Sequence, residues 1–156
     1  MSTVRQRLID TIRASLGVIS LQNGYSTDAG LSIHEWRDPE TEPIQDGEMP
    51  CILLRDESGD VSDLDYDTSE HSLTLNVSVI DQGDDAPRLA RALEGDVLKA
   101  FGVDQTFGGL CHYFQLSNSI TSVRQSGKRS AGIMLTFDVK FRTKAFDLET
   151  AVPYPT

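Results

Sequence analysis

Three short constellations in this chain place reactive residue types close together. Cys111-His112 sets a thiol beside an imidazole, Asp63-x-Asp65-x-Asp67 spaces three carboxylates two residues apart, and Ser126-Gly127-Lys128-Arg129 holds a Gly-Lys pair. Each begins a known chemistry: a thiolate nucleophile with its base, a calcium loop, a phosphate cradle. None is completed. Consecutive strand residues point to opposite faces, so a strand would hold the Cys111 thiol and the His112 imidazole apart. The calcium loop needs glycine at its sixth position and a bidentate Glu at its twelfth, where Thr68 and Thr74 stand. The phosphate cradle needs an earlier glycine, a hydroxyl after the lysine and a following helix; Ser122, Arg129 and an extended segment are found. His34 and His71 are remote from His112 in sequence, and Cys51 and Cys111, the only cysteines, lie in apolar contexts expected to bury them. We therefore expect no catalytic residue, no metal and no cofactor.

What remains chemically distinctive is charge. With 14 basic against 24 acidic residues the chain carries −10, a sign that repels phosphate backbones and argues against general nucleic-acid binding. Seven of the carboxylates, Asp56, Glu57, Asp60, Asp63, Asp65, Asp67 and Glu70, fall within fifteen residues that contain no cation. Like charges at this density predict a solvated hairpin tip. Arg124, Lys128 and Arg129 form a basic counterpart in a second turn, and Trp36 with Tyr25 flanks the first extended segment. Opposite charge and exposed aromatics suit protein interfaces, so Asp63, Asp65, Asp67, Arg124, Lys128, Arg129 and Trp36 are the candidate contact residues.

The elements that must position these residues follow from periodicity. Val4, Leu8, Ile12, Leu16 and Ile19 recur every three or four positions, which predicts an amphipathic helix over 3–19 capped by Ser2 or Thr3. A second helix is expected from Asp84 and Asp85 as caps and Pro87 in the first turn, through a stripe of Leu89, Leu93, Val97 and Phe101, to Gly102. Alternation of apolar and polar residues predicts strands over 72–79 and 133–142, each with one wet face. Shorter strands are expected at 50–55, with Pro50 at the entrance, and at 31–36, and extended segments at 110–114 and 119–124. The order of helix, strands, helix, strands defines an α+β class: a mostly antiparallel sheet with two main helices packed on one face. Residues 1–150 are expected to form one domain, with 151–156, carrying Pro153 and Pro155, as a loose tail. No apolar run reaches the roughly 18 residues that would span a bilayer, and the first ten residues lack the apolar core of a secretory signal, so a cytoplasmic site of synthesis is expected.

Between the first helix and the first strand stands Asn23-Gly24-Tyr25-Ser26-Thr27-Asp28-Ala29-Gly30, a turn rich in residues that tolerate positive φ or bond back to the backbone. A helix of about five turns, this block, an extended segment ending Trp36-Arg37-Asp38, the strand entrance at 50–56, the helix at 85–102 and a last strand ending Phe141-Arg142-Thr143 together resemble the tail terminator proteins of long-tailed bacteriophages. The resemblance spans most of the chain. It implies a non-enzymatic structural subunit of the virion, assembled in the host cytoplasm, that forms a hexameric ring at the head-proximal end of the tail. Such a ring stops tube polymerisation and offers a surface for head-tail joining. The implied partners are further copies of the chain, the tail tube protein and the head-neck connector protein, with DNA passing through the lumen and no membrane. The alternatives are a neck or head-completion protein on the portal side, a small α+β enzyme or ligand-binding module built around Cys111, His112 and Asp138, and a regulatory protein recruiting partners through the acidic stretch.

Overall fold

The computed structural model describes residues 2–57, 59–126 and 128–153, excepting the side chains at 124–126 and 128. The chain runs α1 (Val4–Gly17), β1 (Ile33–Glu35), β2 (Cys51–Glu57), β3 (Val61–Asp63), β4 (Thr68–Gln82), α2 (Ala86–Phe101), β5 (Tyr113–Ser126), β6 (Lys128–Lys144) and β7 (Asp147–Ala151). All seven strands share one sheet of order β1-β2-β4-β6-β5, with β3 alongside β4 and β7 alongside β6. Among the described residues only the β1–β2 pairing is parallel. This is an α+β protein with a mostly antiparallel sheet.

The alternation read in the sequence is the alternation of faces. Leu73, Leu75, Val77 and Val79 of β4, with Ile133, Leu135, Phe137, Val139 and Phe141 of β6, are buried beneath the helices, while their even-numbered neighbours lie on the opposite, wetter face. Burying each such side chain contributes about 1.5–3 kcal/mol, so this ladder is a substantial source of cohesion. Thr3 caps α1 by accepting the Gln6 N–H at 3.1 Å, and Val4, Leu8, Ile12, Leu16 and Ile19 all face the core. Phe101, at the end of α2, meets Phe107, Phe114 and Phe137 edge to face at 5.2–5.6 Å between centroids.

Five expectations are corrected in detail. Asp85 occupies the N-cap of α2 without a side-chain capping bond, and Leu89 is half-exposed because Ala90 takes its place in the buried stripe. Residues 110–112 are not strand. Asp104 accepts hydrogen bonds from the Thr106 and Gly108 N–H groups, and Phe107, Gly108 and Gly109 all take positive φ, so β5 starts only at Tyr113. The acidic stretch contains a short strand, β3, and the boundary at 151 falls inside β7, where Ala151 pairs with Thr143 and Val152 N–H donates to the Arg142 carbonyl at 3.1 Å. Residues 154–156 of the expected tail lie outside the described residues.

The Asn23 to Gly30 block is a tied corner. Gly24 exits at φ 86°, as the sequence requires. Asp96, buried on α2, accepts the Ser26 N–H at 3.0 Å and the Thr27 hydroxyl at 2.7 Å. At Gly30 a Cβ would stand 2.6 Å from the Ile19 carbonyl oxygen, so the corner packs too closely for any side chain there.

Candidate interaction surfaces

The β3–β4 turn and the β6–β7 turn form one end of the sheet. Leu64 N–H donates to the Thr68 carbonyl at 3.0 Å, the Asp65 carboxylate accepts the Asp67 N–H at 2.8 Å, and Ala145 N–H donates to the Asp67 carbonyl at 2.8 Å, lacing the two turns together. Asp63, Asp65 and Asp67 are exposed, and among the described residues no cation lies within salt-bridge distance of them. Of the other four, Asp60 is exposed and three are used internally: Asp56 pairs with Arg5 at 2.6 Å, Glu57 with Arg55 at 3.5 Å, and Glu70 bridges His112 and Arg142. Two aromatics stand at this end with nothing covering them, Tyr66 at 98 % exposure and Phe146 at 108 %. Phe146 also adopts φ 60°, a left-handed conformation that a bulky side chain ordinarily avoids. Leu64, Val61 and Leu148 add exposed apolar surface beside them.

The basic turn is at the opposite end. β4 and β6 pair from Thr68↔Lys144 to Gln82↔Ser130, and fifteen residues of strand at about 3.3 Å each separate the two ends by roughly 45–50 Å. Arg129 is exposed, with its carbonyl accepting the Gly83 N–H at 2.8 Å. Gly127 and the side chains of Arg124 and Lys128 lie outside the described residues, although the backbone at 124 and 128 belongs to β5 and β6. The acidic and basic candidates thus occupy two poles and do not meet within one molecule.

Trp36 sits on a third surface, the β1 edge. Its indole N–H donates to Asp56 at 2.8 Å and the Arg55 guanidinium lies 4.8 Å from its ring centroid, yet 56 % of the residue remains exposed. Its φ of 57° is again left-handed. Burial pushes the Asp56 carboxyl up, but hydrogen bonds from Trp36 and Arg5 outweigh it and hold the group below the usual range.

The residues of the enzymatic alternative are not brought together. Cys111 is buried with its thiol directed to the Gln105 carbonyl, and burial raises both it and Cys51 to about 12. His112 turns to Glu70 at 3.2 Å on the sheet face away from the helices, the face on which Asp138 is exposed, while the Cys111 thiol stays in the core. His71 stacks on Phe141 and meets the Thr143 hydroxyl at 2.9 Å, with burial lowering its affinity for a proton. Among the described residues no three His, Cys, Asp or Glu side chains converge as a metal site would require. A concavity of about 520 Å3 lies on the sheet face away from the helices, under the loop of residues 37–49. Ile44, Met49, Leu53, Ile80, Ile120 and Met134 give it an apolar floor, and Arg37 is locked to Glu48 by two 2.8 Å hydrogen bonds.

Tyr66, Phe146 and the long edge of β5 were missing from the sequence expectations. An aromatic embedded in an otherwise acidic tip, Asp65-Tyr66-Asp67, was the available signal for the first. Phe146 had none, because β7 and its turn were not foreseen. A comparison with protein families finds no match to this chain, and a comparison with curated proteins finds none.

Proposed function

We propose that this chain is a non-enzymatic docking subunit, a phage tail terminator that assembles as a hexameric ring on the tail tube, ends its polymerisation and presents a joining surface to the head-neck connector. The observation that carries the reading is the acidic end of the sheet, where Tyr66 and Phe146 are fully exposed and Phe146 holds a left-handed backbone. Exposed aromatics gain free energy when a partner covers them, and left-handed backbone at a bulky residue is of the kind that clusters at binding sites. A subunit standing between tube and connector needs two unlike ends, and the two poles of the β4–β6 ladder supply them. Net charge of −10 on each copy would keep DNA from adhering to the lumen. The ring would act at the head-proximal end of the virion tail, after assembly in the host cytoplasm.

The test is co-sedimentation with tubes assembled from tail tube protein. Wild-type protein pellets with the tubes at about one ring per tube, while Tyr66→Ala combined with Phe146→Ala lowers that binding at least tenfold without unfolding the subunit, since each anchor is worth 2 kcal/mol or more at an interface hot spot. Equal binding by the double variant would remove the aromatic end from the interface. Absence of wild-type binding, with binding to the portal-side connector instead, would favour the neck alternative.

A further inference from the structure

Two carboxylates are buried among the described residues, and the fold treats them differently. Asp96 uses both oxygens to hold the Ser26 and Thr27 corner, whereas Asp81, 9 % exposed near the end of β4, accepts only the N–H of its own neighbour Gln82, at 2.8 Å through Oδ1. Its second oxygen, Oδ2, accepts no hydrogen bond from any described residue. Nor is Oδ2 one of the side-chain atoms sealed from solvent without a partner, so it opens to the surface. A carboxylate in this state has lost hydration that no donor replaces, and burial raises its pKa accordingly.

The opening has an acidic rim. The bond to Gln82 draws the Asp81 carboxylate toward the end of the strand, where Gly83 at φ 119° turns the chain into α2 and Asp84 and Asp85 stand exposed. The helix uses neither rim carboxylate: Asp85 is the N-cap residue but makes no side-chain capping bond, and Asp84 makes no side-chain hydrogen bond to a described residue. Across the ladder from Asp81 and Gln82 lie Ala131 and Ser130, which carry no charge. Among the described residues no ion pair reaches Asp81, Asp84 or Asp85, although Arg88 lies in the first turn of α2.

We propose that Asp81, rimmed by Asp84 and Asp85, is a docking site for a lysine side chain of a partner protein. Concentrated, unpaired negative charge makes the occupant a cation. Oδ1 is already engaged by Gln82, and this selects among cations: a guanidinium loses the bidentate pairing that needs both oxygens, while an ammonium needs only one, with the rim drawing it in. Because Asp81 is nine-tenths buried, the charge must arrive on a slender apolar stem, which lysine has. A metal ion is not served, since the three carboxylates do not converge as a metal site would require. The site lies at the opposite end of the β4–β6 ladder from Tyr66 and Phe146, so it stands apart from the terminator reading and holds or fails independently of it.

NMR titration of the isotope-labelled full chain with Nα-acetyl-lysine amide, at pH 7 and constant ionic strength, tests it. Saturable shifts are expected at the Gln82, Gly83 and Asp85 amides with a dissociation constant of about 10 mM, and the Asp81 carboxyl carbon titrates at lower pH when the ligand is bound. Asp81→Asn weakens binding at least about tenfold. That variant removes a buried charge and folds at least as stably as the wild type, so its loss of binding reports the site and not the fold. Asp84→Asn combined with Asp85→Asn weakens binding less, and Nα-acetyl-arginine amide binds more weakly than the lysine amide. No saturable shift up to about 0.1 M ligand would overturn the inference. So would equal binding by Asp81→Asn, tighter binding of the arginine amide, or the same shifts produced by Ca2+ at lower concentration than the lysine amide.

Discussion

Asp96 lies on the buried stripe of α2, a position the helical periodicity assigns to an apolar side chain, and its two carboxylate oxygens are both occupied by the Ser26 and Thr27 corner seventy residues away. That the corner is a turn was legible from its Asn, Gly, Ser and Asp; that a carboxylate on the second helix holds it was not, because nothing local in either segment encodes the other. Asp96→Ala is expected to lower stability by about 2–3 kcal/mol, the range for a buried group stripped of charged hydrogen bonds, measured by urea unfolding. Two other carboxylates titrate with opposite sign. Asp56, held low by Trp36 and Arg5, adds stability that is present above the unfolded value of 3.8 and lost as pH falls through its folded value. Asp81 is buried near the end of β4, and burial raises it, so its penalty is absent below 3.8 and complete above its folded value. Asp81→Asn is therefore expected to stabilise the protein at pH 7 and to have no effect at pH 3, in thermal melts at the two pH values; a lower melting temperature at pH 7 would contradict it. Cys51 and Cys111, raised to about 12 and buried, are protonated at pH 8 and should react with a thiol reagent only at the rate of unfolding.

At the scale of elements, the strongly periodic segments were the legible ones. α1, α2, β4 and β6 follow directly from spacings of three to four and of two, because each buries one face against a single core. β3 and β7 were not foreseen, since three and five residues are too few to show a period and their pairing depends on long-range neighbours. β5 was read as two fragments because its exposed faces remove the burial that produces alternation, and its start was misplaced by a corner built from Asp104 and three successive positive φ values. The four-phenylalanine cluster joins that corner to α2, β5 and β6. Phe101→Ala should cost about 3–5 kcal/mol in urea unfolding and loosen the start of β5, visible as faster amide exchange at 113–116. A loss below 1 kcal/mol would show that the cluster can collapse around the cavity.

For the whole molecule, the candidate contact residues identified in the sequence fall on three separate surfaces: Asp63, Asp65 and Asp67 at one pole, Arg124, Lys128 and Arg129 at the other, and Trp36 on the β1 edge. Composition could mark them as surface charge, but only the register of the long β4–β6 ladder shows that they are about 45–50 Å apart. On the proposed reading the two poles would meet different partners, and charge reversal at one pole would then be a selective lesion. Asp63→Lys, Asp65→Lys and Asp67→Lys together should abolish contact at one end while leaving the fold and the opposite end intact, measured by binding to each partner separately. The most direct measurement is to add the purified protein to polymerising tail tube protein and image the tubes by electron microscopy. The account predicts rings seated on one end of tubes whose growth has stopped; tubes of unaltered length with bare ends would contradict it.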